Sequence, residues 1–447
     1  MTDTEQRTDA AGADEAAAPQ AEPTAAEQRS AFVRLVMVLL AAALATVVTR
    51  TTKTVLVVVA LIVMIMLHEF GHYLTAKLGH MKVTEFFVGF GPRLWSVRKG
   101  ETEYGVKALP VGGYVKIIGM HNLDRIEDPA DEPRTYRQQP FPQRLAVAVA
   151  GSTMHFLIAF LLFFTINAFV GVPSPSLRIG EISKISGSES PAQLAGIQLG
   201  DRVVSVDGHQ VSSWDELPPY IRKKPGQAIQ LVVERNGQRV PLSVTPVDLS
   251  QVKVEGMPAT ATPTGFVGIG PKIEFDKVNP LVAFGRAGRQ FVGGDYPNGT
   301  QVAPGLVDNA AALGHIFSPK GVSGYFHTLT SPSSTATPED GGTRFLSPVG
   351  FVRVAGQAAN TGLFEVLLLL IAINLFVGLF NLLPLLPLDG GHVVIAVYEA
   401  IRSKIRGRRY YVDVAKLLPI TYAVVMILVF LGVSALYLDI VHPLNFK

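Results

Sequence analysis

Val55-Leu-Val-Val-Val-Ala-Leu-Ile-Val-Met-Ile-Met-Leu67 runs without a break into His68-Glu69-Phe70-Gly71-His72. On a helix the HExxH spacing puts two imidazoles one turn apart, with Cβ atoms roughly 5–6 Å from each other, so both reach one zinc ion. Glu69 then stands beside them, where a general base for metal-activated water has to be. An HExxH in a soluble helix arises by chance often enough to mean little. Here the motif closes an apolar run, and ionisable groups inside a membrane helix are costly and functional by default. The stretch implies a metal-hydrolase site at membrane depth.

Composition agrees with that setting. Of 447 residues, 48% are hydrophobic and only 17% charged. Length alone suggests about three domains, but several apolar stretches long enough to span a bilayer change that count. The absence of cysteine excludes disulfides, thiolate zinc ligands and thiol nucleophiles. Any metal must therefore be held by His, Asp or Glu. The net charge of +3 says little, because the basic residues are clustered.

Residues 1–30 are rich in Ala, Glu, Asp, Gln and Pro, and are expected to form a disordered cytoplasmic tail. Residues 31–48 are apolar apart from Arg34. The acidic segment before them is the wrong n-region for a signal peptide, so an uncleaved first span is expected, with a cleaved leader as the alternative. Further spans are expected at 54–78, 145–172, 363–383 and 412–436. Positive residues collect in short cytoplasmic loops. Lys77, Lys82, Arg93, Arg98, Lys99, Lys107 and Lys116 mark one such loop, and Arg402, Lys404, Arg406, Arg408 and Arg409 another. Both loops then fall on the cytoplasmic side and residues 173–361 on the other.

His68 lies about 14 residues into its span, roughly 21 Å along the helix, on the cytoplasmic side of a core about 30 Å thick. Hydrolysis at that depth requires a water-filled cavity among the spans. A catalytic zinc commonly has three protein ligands, and HExxH supplies two. Asp389 is the best candidate for the third. It sits in Asn381-Leu-Leu-Pro-Leu-Leu-Pro-Leu-Asp389-Gly-Gly-His392, where proline and glycine break the fourth span. Irregular backbone is tolerated at membrane depth where it lines a cavity. A turn aspartate at the membrane surface is the plain alternative.

Two further segments carry information. Trp95-Ser-Val-Arg-Lys-Gly-Glu-Thr-Glu-Tyr-Gly-Val-Lys107 reads as two strands around a Lys-Gly-Glu turn, and Val111-Gly-Gly-Tyr-Val-Lys-Ile117 adds another. An exposed strand edge near the site would pair with an extended peptide; a hairpin that merely packs on the spans is the alternative. In residues 178–247, Ser190-Pro-Ala-Gln-Leu-Ala-Gly-Ile-Gln-Leu-Gly-Asp201 and Val203-Val-Ser-Val-Asp-Gly208 resemble the circularly permuted PDZ domains of bacterial proteases. Residues 250–360 read poorly. Residues 278–292 fit an amphipathic helix on the membrane surface, 331–343 a flexible loop, and His315 and His327 are not assigned to a second metal.

Together these features resemble the site-2 protease family of intramembrane zinc metalloproteases. The likeness rests on HEFGH at 68–72, on NLLPLLPLDGG at 381–391 and on the PDZ-like insert between them. It covers most of residues 54–434. It implies that His68, His72 and Asp389 bind zinc (Zn2+), that Glu69 is the catalytic acid/base, and that the hairpin is the family's membrane-associated β-loop. The single insert and Val88-Gly-Phe-Gly-Pro92 are most similar to short-insert bacterial, actinobacterial-type members of an inner cell membrane. Asn381 matches the motif's asparagine, a contact for unwound substrate backbone; an interhelical hydrogen bond is the other reading. Many members have an asparagine shortly after a glycine where this chain has Gly151-Ser-Thr-Met-His155. His155 is therefore either a polar contact near the site or a packed histidine, and it is not counted as a ligand.

The expected fold is a mainly α-helical polytopic membrane protein of four to five transmembrane helices, with a membrane-associated β-loop and an inserted α+β PDZ-like domain. The expected domains are the tail 1–30, an N-terminal membrane core 31–172, the extracytoplasmic PDZ-like domain 173–248, a juxtamembrane linker 249–360 and a C-terminal membrane core 361–447. The expected activity is a zinc-dependent endopeptidase acting in or near the transmembrane segments of single-span proteins, in regulated intramembrane proteolysis. The resemblance implies substrates such as anti-sigma factors, trimmed first by a site-1-type protease, with the lipid bilayer as the medium and no nucleic acid involved. A non-catalytic PDZ scaffold would not need Glu69. A metal transporter would leave the PDZ-like insert without a purpose. An ordinary soluble zincin is disfavoured by the depth of the site.

Overall fold

Apolar runs fold as helices here, and glycine and proline set where they stop. The computed structural model describes residues 25–49, 51–120, 124, 126–185, 188–252, 254, 261–294, 303–330 and 345–443. The tail expected before residue 25 and the loop expected at 331–343 lie outside them. The chain opens with α1 (Ala25–Val48), α2 (Thr52–Leu78), β1 (Val83–Lys99), β2 (Thr102–Ile117) and α3 (Phe141–Thr165). A sheet region follows: β3 (Val172–Ile182), α4 (Pro191–Leu194), β4 (Arg202–Val206), β5 (His209–Gln210), α5 (Leu217–Arg222), β6 (Ile229–Arg235), β7 (Gln238–Val244), β8 (Val247–Asp248), β9 (Gly265–Phe266) and β10 (Ile269–Asp276). Seven helices complete the described chain: α6 (Pro280–Val292), α7 (Leu306–Ile316), α8 (Pro319–Thr330), α9 (Pro348–Thr361), α10 (Leu363–Asn381), α11 (Asp389–Arg406) and α12 (Leu418–Val441).

Among the described residues, four segments are helical, long and apolar enough to cross a membrane: Thr52–Leu78, Phe141–Val170, Leu363–Asn381 and Val414–Val441. They fall on the last four expected spans. α1 coincides with the first expected span and is not among the four. It also begins earlier than the expected tail allows, because Ala25-Ala-Glu-Gln-Arg29 are good helix formers.

The chain divides into two units. The first takes Met1–Phe156, His315–Gly362 and Val377–Lys447. In it, β1 and β2 form an antiparallel hairpin that folds over on itself. Phe86 pairs with both Val115 and Tyr104, and Phe87 with both Tyr114 and Gly105. The segment at 111–117 is thus the end of β2 rather than a separate strand, and residues 83–90, unassigned in the sequence, lie between it and the Lys-Gly-Glu turn pair. The doubled ribbon is anchored at its base by Ala76, Met81, Val83, Ile117, Tyr136 and Val147, all buried together. Tyr73 of α2 holds it by a 2.6 Å hydroxyl–hydroxyl bond to Tyr104. Ser347-Pro-Val-Gly350 is the start of a helix: the Ser347 hydroxyl accepts from Gly350 N–H and Pro348 takes the first position. Asp439, buried near the end of α12, accepts from Ser347 N–H at 2.7 Å and fixes that start.

The second unit takes Leu157–Gly314 and Leu363–Phe376. Its sheet has the order β10-β3-β4-β6-β7, with β5 paired to β4, so it continues past residue 248. Ile179, Val203, Trp214, Leu217, Leu231 and Val233 form the core. The Gly-Asp…Asp-Gly pattern has a structural reason. Asp201 accepts from the Arg235 guanidinium at 2.8 Å. Asp207, at a positive φ of 45°, is tied to Lys224, to the Gln230 amide and to Tyr220. The Lys224 ammonium foremost, then the Gln230 amide and Tyr220, hold its carboxyl down at about 2. α6 forms close to the expected 278–292, with Ala283, Ala287 and Gln290 buried and Leu281 and Phe284 exposed. Gln290 is inward because its side-chain oxygen accepts from the Asn167 amide at 2.8 Å.

Candidate metal centre

The centre is built from three helices of the first unit. α2 carries His68 and His72 one turn apart, and both are buried. Their Nε2 atoms stand 3.2 Å apart. Asp389 is the first residue of α11, and its Oδ2 lies 3.5 Å from His68 Nε2 and 3.4 Å from His72 Nε2. Ligand atoms at the corners of a tetrahedral zinc site stand about 3.3 Å from one another, given bonds near 2.0–2.1 Å. The triangle therefore has the size such an ion requires.

His72 also has the right electronic state to donate to a metal. His72 Nδ1 lies 2.7 Å from the Val147 carbonyl, which can only accept, so Nδ1 carries the proton and Nε2 presents its lone pair. That lone pair faces a carboxylate oxygen that is buried and has no hydrogen-bond partner among the described residues. Two lone pairs in this position repel unless a cation lies between them. His68, His72 and Asp389 are the described residues whose ligand atoms cluster closely enough to hold a metal.

Asp389 reaches this point because the chain turns sharply before it. A Cβ on Gly391 would stand 2.7 Å from Leu386 N, and one on Gly390 would meet the carbonyls of Leu382 and Leu383. Only glycine lets α11 start so close to the preceding loop. Glu69 lies on α2 between the two histidines, interacting with His72 and Asp389 and hydrogen-bonded by the Val115 backbone of β2. His155 is buried with its ring 5.1 Å from that of His68, which makes it a neighbour of the site. Asn381 ends α10, and no described contact brings it to the three ligand atoms.

α3 contributes residues that the motifs did not reveal. A Cβ on Gly151 would stand 2.5 Å from His72 Nε2 and 2.6 Å from His68 Nδ1, while one on Gly71 would stand 2.7 Å from the Ala150 carbonyl. The two helices thus cross through paired glycines, a close approach typical of membrane helices. Gly151→Ala is expected to push the imidazoles off the common point and lower metal affinity by about 10–100-fold; a chelator titration of the purified variant reads this directly. One end of α3 is joined to α11 by a buried ion pair, Arg144–Glu399, at 2.5 Å. Beside that pair lies a cavity of about 310 Å³ whose lining mixes Arg144, His392 and Glu399 with Met120, Ile395 and Val414.

A polytopic helical protein whose HExxH helix meets a carboxylate from a second helix is, in class, a membrane metallohydrolase. Comparison with known proteins gives the particular family. Residues 56–428 match peptidase family M50. The zinc metalloprotease Rip1 of Mycobacterium tuberculosis (strain H37Rv) is 35% identical over 415 residues, covering 86% of this chain and 96% of that protein. Rip1 of Mycolicibacterium smegmatis is 31% identical over 414 residues with the same coverage. Zinc metalloprotease RasP of Shouchella clausii is 26% identical over 416 residues, covering 76% of this chain and 89% of that protein. The chain belongs to peptidase family M50, and the site-2 protease resemblance read from its motifs holds. It is a hydrolase and a membrane protein.

Proposed function

We propose that the protein is an intramembrane zinc endopeptidase in which His68, His72 and Asp389 hold the metal and Glu69 is the acid/base. The observation that carries this reading is the 3.2, 3.4 and 3.5 Å triangle that Asp389 completes with two histidines of a helix long and apolar enough to span a membrane. When bound, zinc supplies a Lewis acid that polarises a carbonyl and brings the pKa of water to about 7. The residues do the rest. Val147 fixes the ring of His72 through Nδ1, Gly151 leaves room for both rings, and Glu69 takes the proton of the attacking water and delivers it to the leaving amine.

The substrate class follows from the surroundings. Peptide bonds in an intact membrane helix are masked by their own hydrogen bonds, so a substrate must be held extended. The end of β2 lies against α2, and a Cβ on Gly113 would stand 2.5 Å from Met66 Sδ. An extended chain paired along this ribbon would run beside Glu69, with Asn381 offered to its backbone. Membrane-bound substrates of one span, anti-sigma factors among them, fit such a site, after an upstream site-1-type protease has trimmed their outer part. The PDZ-like sheet domain would act as the filter for that trimming. It stands outside the inner membrane if the loops rich in Lys and Arg are cytoplasmic, which places the metal toward the cytoplasmic side.

Removal of the metal tests the reading. Treatment of the purified protein with a strong zinc chelator is expected to reduce cleavage of a labelled single-span substrate to background. Added zinc should restore it, and magnesium, which prefers oxygen ligands, should not. Cleavage that survives complete removal of zinc would exclude the assignment.

A further inference from the structure

α11 lies between two spans but is too polar to be one itself. Ala396 and Glu399 lie on its buried side. Its other side exposes Val394, Val397, Tyr398, Ile401 and Ile405, spaced as one stripe along a helix. At about 100° per residue, Arg402 and Lys404 stand roughly 80° to either side of that stripe, and Arg406 lies just beyond Arg402. Arg408 and Arg409 follow the Gly407 cap, and residues 400–412 contain five basic side chains and no acidic one.

The acids that flank this stretch in the chain are already engaged. Glu399 is paired to Arg144 at 2.5 Å and accepts from Val412 N–H at 2.6 Å, and Asp413 lies 3.8 Å from Lys416. The guanidinium of Arg406 lies 4.8 Å from the centre of the Tyr410 ring, and that of Arg402 5.7 Å from that of Tyr398.

We propose that the C-terminal half of α11 lies in the bilayer–water interface and binds anionic phospholipid headgroups. An apolar stripe flanked by cations that reach sideways to the surface is the pattern of a helix lying in the plane of the membrane. Tyr398 and Tyr410 are the residue type that settles at headgroup level. A bilayer supplies apolar and anionic surface together, which is what the two faces require; an acidic peptide would cover the cations and leave the stripe in water. α10 and α12 hold both ends of this segment at the membrane, so the inference rests on their being spans and not on catalysis. The headgroups would also fix the depth of the helix whose first residue is Asp389.

The test is spin-label resonance on the full chain in mixed-lipid nanodiscs. It compares the association of spin-labelled phosphatidylglycerol with that of spin-labelled phosphatidylcholine. Even one cation near the surface is worth roughly fivefold in attraction to an anionic bilayer. Wild type is expected to prefer phosphatidylglycerol several-fold, and the variant R402Q/K404Q/R406Q/R408Q to fall close to no preference. The pairs R402Q/K404Q and R406Q/R408Q should each lose part of it, which guards against misfolding of the fourfold variant. R222Q/K223Q/R239Q, exposed in the sheet domain, should keep the preference. No preference in wild type, or full preference in the fourfold variant, overturns the proposal. So does saturable binding of a soluble polyglutamate peptide by a wild type that shows no lipid preference.

Discussion

Glu69→Gln is expected to keep its zinc and to lose cleavage by a factor of about 10²–10⁴, the usual contribution of a positioned acid/base. The carboxamide has the shape of the carboxylate but cannot accept and return a proton. None of the three ligand atoms belongs to Glu69, and the 3.2–3.5 Å triangle does not depend on it. Metal content and activity should therefore separate. Zinc per chain, by elemental analysis, should match wild type, while turnover of a labelled single-span substrate falls to background. Loss of both together would place Glu69 in the metal's own support, and loss of neither would remove it from the chemistry.

Asp389→Asn is expected to act in the opposite order, with metal loss first. The substitution keeps the shape and removes the charge that faces two imidazole Nε2 atoms at 3.4 and 3.5 Å. Residues that only support a ligand are worth 10–100-fold in metal affinity, so loss of a ligand itself should cost at least about 100-fold. Dialysed Asp389→Asn protein should hold well under one zinc per chain and cleave nothing. His155→Asn should retain its metal, because His155 meets the ring of His68 and not the ligand triangle. A variant pair with the reverse pattern would make His155 the third ligand.

The features legible in the sequence were those encoded locally. The apolar run before His68, the one-turn spacing of the histidines and the broken helix before Asp389 are all short-range patterns, and the structure brings His68, His72 and Asp389 together. What stayed hidden depends on which helix packs against which. Val147 as the partner of His72, Gly151 as the space for two rings and Arg144 as the partner of Glu399 are unremarkable residues until α3 is set against α2 and α11. The first strand segment, 83–90, is hard to read as a strand because Gly89 interrupts it and Gly91-Pro92 follow it, and the doubled register of the hairpin follows from its bulges. Ser347-Pro348 is a helix start by its capping chemistry, and the spacing from Val394 to Ile405 marks a helix leading into the basic loop.

Hydrolysis at membrane depth fixes where the substrate is cut, so the position of the cleaved bond is the measurement to make. Purified wild type would be incubated in nanodiscs with a single-span substrate, and the new termini mapped by mass spectrometry beside a Glu69→Gln control. The account requires termini within the substrate's apolar span, toward its cytoplasmic end, and absent from the control. Termini confined to a soluble segment outside the span, or the same termini in the control, would contradict it.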